Sequence, residues 1–162
     1  MKRHNFAAGL ALAVLAVLGL TGPVIGGEQV PFKGNLEGDV TVTPVDPPFI
    51  VDVLVESSGN ATQLGEFMLD IPHRVNRGDR TARGTYEFTA ANGDLLSADF
   101  EGVSMLIAPD VLYIVEIATI SPTDSTGRFA GATGSFTCER LFDMASGTTI
   151  GTFDGTISRP GR

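Results

Sequence analysis

From residue 28 onward the chain alternates apolar with polar positions in short runs. The apolar places are rich in β-branched and aromatic residues, and Gly, Asn, Asp, Ser and Pro stand between the runs. A period of two is the pattern of strands with one buried face. Eight runs are predicted as strands: residues 32–43, 49–57, 62–71, 84–90, 95–103, 112–120, 135–142 and 149–158. No segment carries the apolar period of an amphipathic helix. Eight strands suffice to close a barrel whose interior is either filled by side chains or holds one small ligand. Closure also removes the edges that invite aggregation. The predicted fold is therefore all-β, an eight-stranded antiparallel β-barrel over residues 28–162, with a two-sheet sandwich as the alternative.

Two hairpins specify their own register. Around Ala91, Asn92 and Gly93, a two-residue turn would mix apolar and polar side chains on one face. A three-residue loop sets Phe88 opposite Leu96 and Tyr86 opposite Ala98 and keeps that face apolar. The prediction is a type I turn followed by Gly93 in the left-handed region. In the last hairpin, a loop through Met144, Ala145, Ser146 and Gly147 sets Asp143 opposite Thr148, Cys138 opposite Phe153 and Arg140 opposite Gly151. The face with Phe136, Cys138, Phe142, Phe153 and Ile157 is the candidate interior, and Arg140 shares it.

The beginning of the chain reads differently. Lys2 and Arg3 precede an apolar run of 15 residues from Phe6 to Leu20, and small and turn-forming residues follow through Gly27. That layout is a signal peptide, expected as a helix over residues 1–27, and it predicts a secreted or periplasmic protein. The run is shorter than the roughly 20 residues of a membrane-spanning helix. Of 11 basic residues, Lys2 and Arg3 fall in the leader. The remaining 9 face 19 acidic ones, a net charge of −10. Such a surface argues against nucleic acid or an anionic membrane as partner.

Few residues offer chemistry. Cys138 is the one cysteine, so no internal disulfide forms, and the spacing shows no metal-ligand set. An inward Arg140 keeps its charge and needs acceptors. Glu116, on the neighbouring predicted strand, is the nearest acid by topology. The pair is either purely structural or a polar contact in an apolar pocket, suited to a ligand with a carboxylate or hydroxyl end. Residues 70–83 hold Arg74, Arg77, Arg80 and Arg83 and read as a connection. It is either a solvated loop or an anion-attracting rim with His73 at a barrel mouth. Tyr86 and Tyr113 are expected as core aromatics whose hydroxyls reach a mouth or each other. The candidate ligand-binding residues are thus Arg140, Glu116, Tyr86, Tyr113 and His73, with no catalytic residue assigned. Met105, Leu106 and Ile107 fall in a predicted connection, residues 104–111, as a lid or an interface. Strand 112–120 is apolar on both faces apart from Glu116 and Thr119, and a homo-oligomer is one way to cover its outer face.

The stretch Thr126, Gly127, Arg128, Phe129, Ala130, Gly131, Ala132, Thr133, Gly134, Ser135, Phe136 resembles the Gly-x-Phe-x-Gly-x-x-Gly loop of the allene oxide cyclase and dirigent barrel superfamily. Small secreted bacterial proteins of this plan are similar in strand order. The resemblance implies an eight-stranded barrel, often oligomeric, whose apolar cavity shapes cyclisation or coupling of unsaturated small molecules without a metal or organic cofactor. Three functions are open: a non-catalytic barrel binding a small apolar molecule, a cofactor-free cyclase or isomerase, and a structural protein with a filled barrel. The first predicts a cavity. The second predicts that the cavity also holds an ionisable group with no structural partner.

Overall fold

A computed structural model describes residues 27–161. All but the last residue of the expected leader lies outside them. Eight strands follow in order: β1 (Gln29–Pro44), β2 (Ile50–Ala61), β3 (Gly65–Asn76), β4 (Thr81–Ala90), β5 (Leu95–Ala108), β6 (Val111–Ile120), β7 (Gly134–Asp143) and β8 (Thr148–Ser158). Each pairs antiparallel with the next, and β8 pairs with β1, which closes the barrel. No α-helix occurs among the described residues. The sandwich alternative is set aside by the β1–β8 ladder, whose register runs from Gln29 opposite Ser158 to Asp39 opposite Thr148.

The interior has two halves. At one end Phe88 sits among Phe32, Phe67, Phe136 and Phe153, with ring centroids 5.2–6.0 Å from its own. Phe129, on a single 3-10 turn (Gly127–Phe129), is fully buried and plugs that end. The glycines flanking it, Gly127 and Gly131, lie at positive φ. Arg128 stacks on the Phe129 ring at 4.7 Å, and its Nη2 donates to the Leu64 carbonyl at 3.2 Å. Several large inward side chains face a glycine across the ladder: Phe153 faces Gly34, Phe67 faces Gly59 and Phe136 faces Gly155. A Cβ on Gly34 would fall 2.6 Å from the Phe153 ring. The narrow interior is filled in part by setting these bulky groups against empty positions.

Two connections are shorter than the sequence suggested. Residues 70–83 are not a loop. β3 runs on to Asn76 and β4 begins at Thr81, because Ile71, His73 and Val75 continue the inward face begun at Phe67 and Leu69. Arg74 and Arg83 point outward to Asp52 (2.8 Å) and Glu101 (3.2 Å). Residues 104–108 likewise belong to β5, which turns over Pro109 and Asp110. Leu106 takes the mouth of the barrel, while Met105 and Ile107 lie exposed outside with Val103 and Ile117. The expected connection is thus the end of a hairpin, and its apolar outer strip is open to solvent.

Both hairpin registers are as expected. Phe88 faces Leu96, Tyr86 faces Ala98, the Gly93 amide donates to the Ala90 carbonyl, and Gly93 has φ 87°. A side chain there would meet nothing within 4 Å, so its cost is purely conformational. Gly93→Val is expected to destabilise the protein by about 1–2 kcal/mol in urea unfolding. An unchanged midpoint would contradict this turn.

Candidate functional site

The other half of the barrel is not filled. Beyond the aromatic layer lies a cavity of about 470 Å³, open at the mouth formed by the ends of β1, β3, β5 and β7. Val51, Val53 and Val55 of β2, Val75 of β3 and Leu112 and Ile114 of β6 make its walls. Its floor is polar. Arg140 of β7 and Glu116 of β6, both buried, form a two-pronged pair: Arg140 Nε donates to Glu116 Oε2 at 2.9 Å and Nη2 to Oε1 at 2.5 Å. Tyr86 of β4, also buried, donates its hydroxyl to Glu116 Oε2. Burial works against the charge on Arg140, but the Glu116 carboxylate outweighs it and holds the guanidinium pKa above its ordinary value. Burial, and then the Glu116 charge, push the Tyr86 hydroxyl well up. Burial takes the nearby Cys138 thiol up to about 12, so it is an inert filler.

His73 lies in the same cavity, half-buried on β3. Its Nδ1 stands 2.9 Å from the Ile71 carbonyl oxygen. A carbonyl only accepts, so Nδ1 carries the proton. The β3–β4 ladder passes from Asp70 opposite Glu87 to His73 opposite Gly84 without pairing Ile71 or Pro72, and Pro72 has no N–H to give. Burial, partly offset by the Ile71 bond, lowers the His73 pKa below 6.5, with the Arg140 charge acting in the same direction. The imidazole is therefore neutral at pH 7.

Space for these groups comes from opposite strands. Arg140 faces Gly151, Glu116 faces Gly102 and His73 faces Gly84. A Cβ on Gly151 would fall 2.5 Å from Arg140 Cγ, and one on Gly102 would fall 2.6 Å from Glu116 Cγ. One on Gly84 would collide with the His73 Cβ. At the rim, Arg77 and Arg80 are exposed and without a salt bridge among the described residues.

Three of the five expected site residues, Arg140, Glu116 and His73, thus line one cavity, with Tyr86 buried behind Glu116. Tyr113 does not. It takes the outer face of β6, opposite Leu141, and borders an open groove on the outside of the barrel with Glu139. The alternation along β6 decides this, since Glu116 faces inward and odd-numbered neighbours face out. Arg77 and Arg80 fit the anion-attracting rim that was one of the two expectations for residues 70–83, and the three opposed glycines are a signal in the sequence that marks the site.

No family model and no curated protein matches this chain. Among solved structures, that of the pterocarpan synthase dirigent protein is similar, with a TM-score of 0.51 and 13% identity, covering 94% of this chain and 99% of that one. The fold is a dirigent-like barrel. At that identity the likeness is one of fold, and it agrees with the resemblance carried by the residues from Gly127 to Gly134.

Two outcomes test the floor. Glu116→Gln or Arg140→Met alone should cost about 3–5 kcal/mol by stranding a buried partner, and the double variant should cost much less than their sum. Additive losses in urea unfolding would mean the pair is not coupled. For His73, the unfolded chain keeps its proton up to the ordinary value of 6.5 while the folded protein releases it at lower pH. Its contribution to stability is therefore complete above 6.5 and lost as pH falls below it. Melting curves taken from about pH 5 to pH 7 should rise with pH. The rise should be shallower in His73→Gln.

Proposed function

We propose that this protein is an exported binder of one small, mostly apolar molecule, which enters the barrel mouth and sets a polar end against the floor. The observation that carries this reading is the cavity of about 470 Å³ with apolar walls and donors at its base. Its volume lies in the range of small-molecule sites, and its few convergent polar groups are those that fix a ligand's orientation. Arg140 uses Nε and Nη2 on Glu116, which leaves Nη1 for a ligand carbonyl, carboxylate or hydroxyl oxygen. Arg77 and Arg80 add positive potential at the mouth of an otherwise acidic protein, which favours ligands with a negative end. A structural barrel working only through its outer face has no use for this space.

A second reading, a cofactor-free cyclase or isomerase, is favoured by His73, the ionisable group with a free ring nitrogen in the cavity. The similar barrel is named a pterocarpan synthase, and that name lends support to small-molecule chemistry on this fold.

Titration with 2-naphthoate, followed by calorimetry or ligand-observed NMR, tests the binding reading. At about 0.4 kcal/mol per heavy atom a Kd on the order of 0.1–1 mM is expected. Ala82→Phe, which fills the cavity from β4, should weaken binding by about tenfold or more. Absence of binding, or equal binding by Ala82→Phe, would overturn it.

A further inference from the structure

We propose that the cavity is a proton-transfer site in which His73 Nε2 removes an acidified C–H proton from a small apolar carbonyl compound whose oxygen rests on the Arg140 guanidinium. The proposal rests on the reading that the cavity takes such a molecule, and it adds a reaction.

The argument begins with which group has a lone pair to offer. Glu116 has both oxygens engaged, Oε1 by Arg140 and Oε2 by Arg140 and Tyr86. Tyr86 and Cys138 hold their protons, because burial disfavours both anions. His73 differs. Its Nδ1–H is fixed on the Ile71 carbonyl, so in the neutral ring Nε2 bears the lone pair, and no protein group among the described residues bonds to it. The one buried side-chain nitrogen or oxygen without a partner among those residues is Arg128 Nε, at the opposite end. His73 Nε2 is thus neither bonded nor sealed off, and the space it meets is the cavity. Arg140 Nη1 is open by the same reasoning.

A base oriented through its other nitrogen, and a fixed donor for a developing oxyanion, are the two parts that enolisation needs. In the forward step the C–H bond beside the carbonyl breaks and its proton passes to His73 Nε2. The C–H electron pair becomes a C=C bond, and the carbonyl π pair moves onto oxygen, where Arg140 Nη1–H stabilises it. Return of the proton to the same carbon restores the substrate. Return to the far end of a conjugated system shifts the double bond. Neither route needs an oxidant, a reductant or a co-reactant. The substrate class is a small ketone or unsaturated carbonyl compound with an acidified neighbouring C–H. Arg140 stays charged throughout because Glu116 remains paired with it.

The test uses 2-tetralone in D₂O, with loss of its C1 proton signal followed by NMR and its binding measured separately. The protein should accelerate exchange above buffer. His73→Gln should lower the rate by about a hundredfold or more while the probe's Kd changes little. Ala82→Phe should lose both binding and exchange. Exchange equal in wild type and His73→Gln, or persisting in Ala82→Phe, would overturn the proposal. So would a probe that binds and does not exchange, an outcome that leaves the binding reading standing. Failure of both 2-tetralone and 2-naphthoate to bind would instead remove the binding reading itself and the reaction with it.

Discussion

The interior of an eight-stranded barrel is narrow, and most of its bulkiest side chains stand opposite a glycine on a neighbouring strand, a steric constraint on which both the packed end and the site depend. Glycines at Gly34, Gly59 and Gly155 make room for the phenylalanines of the packed end. Gly84, Gly102 and Gly151 make room for His73, Glu116 and Arg140 in the middle. Because inward positions recur every second residue, placing one glycine correctly fixes the partner's register along the entire ladder. Core packing and site geometry are therefore one property of this sequence.

The layer of Arg140, Glu116 and Tyr86 is the border between two kinds of interior. Below it, phenylalanine rings pack edge-to-face or tilted against one another around Phe88. Above it the side chains shorten to Val51, Val53, Val55 and Ala82, and space remains. A buried guanidinium is tolerable only when its charge is matched, and matching it consumes the carboxylate. That arrangement makes Glu116 a poor base and Arg140 a steady donor. It leaves His73, held through its other nitrogen, as the group with something to exchange with a ligand. The outer strip of Val103, Met105, Ile107 and Ile117 is a separate surface, on the far side of the same strands.

The alternation of apolar and polar residues, by itself, determined eight strands, an all-β fold, two hairpin registers and the meeting of Arg140 with Glu116. These are readable because each depends on local period and on pairing between strands adjacent in sequence. The Gly-rich stretch around Phe129 pointed to the same barrel, and the similar solved structure agrees at the level of fold. The choice of a closed barrel over a sandwich, the unequal filling of the two ends, and the position of His73 on a strand inside the cavity were decided only in three dimensions. By sequence His73 falls on a connection, either solvated or at a barrel mouth, because arginines surround it. In the fold they divide between the outside of two long strands and the rim. Tyr113 reads as a core aromatic in one dimension and turns outward because Glu116, three residues on, takes the inward face. Cavity volume is a difference between the space the backbone encloses and what the side chains fill, so no single segment carries it, and the chain had to close before it existed.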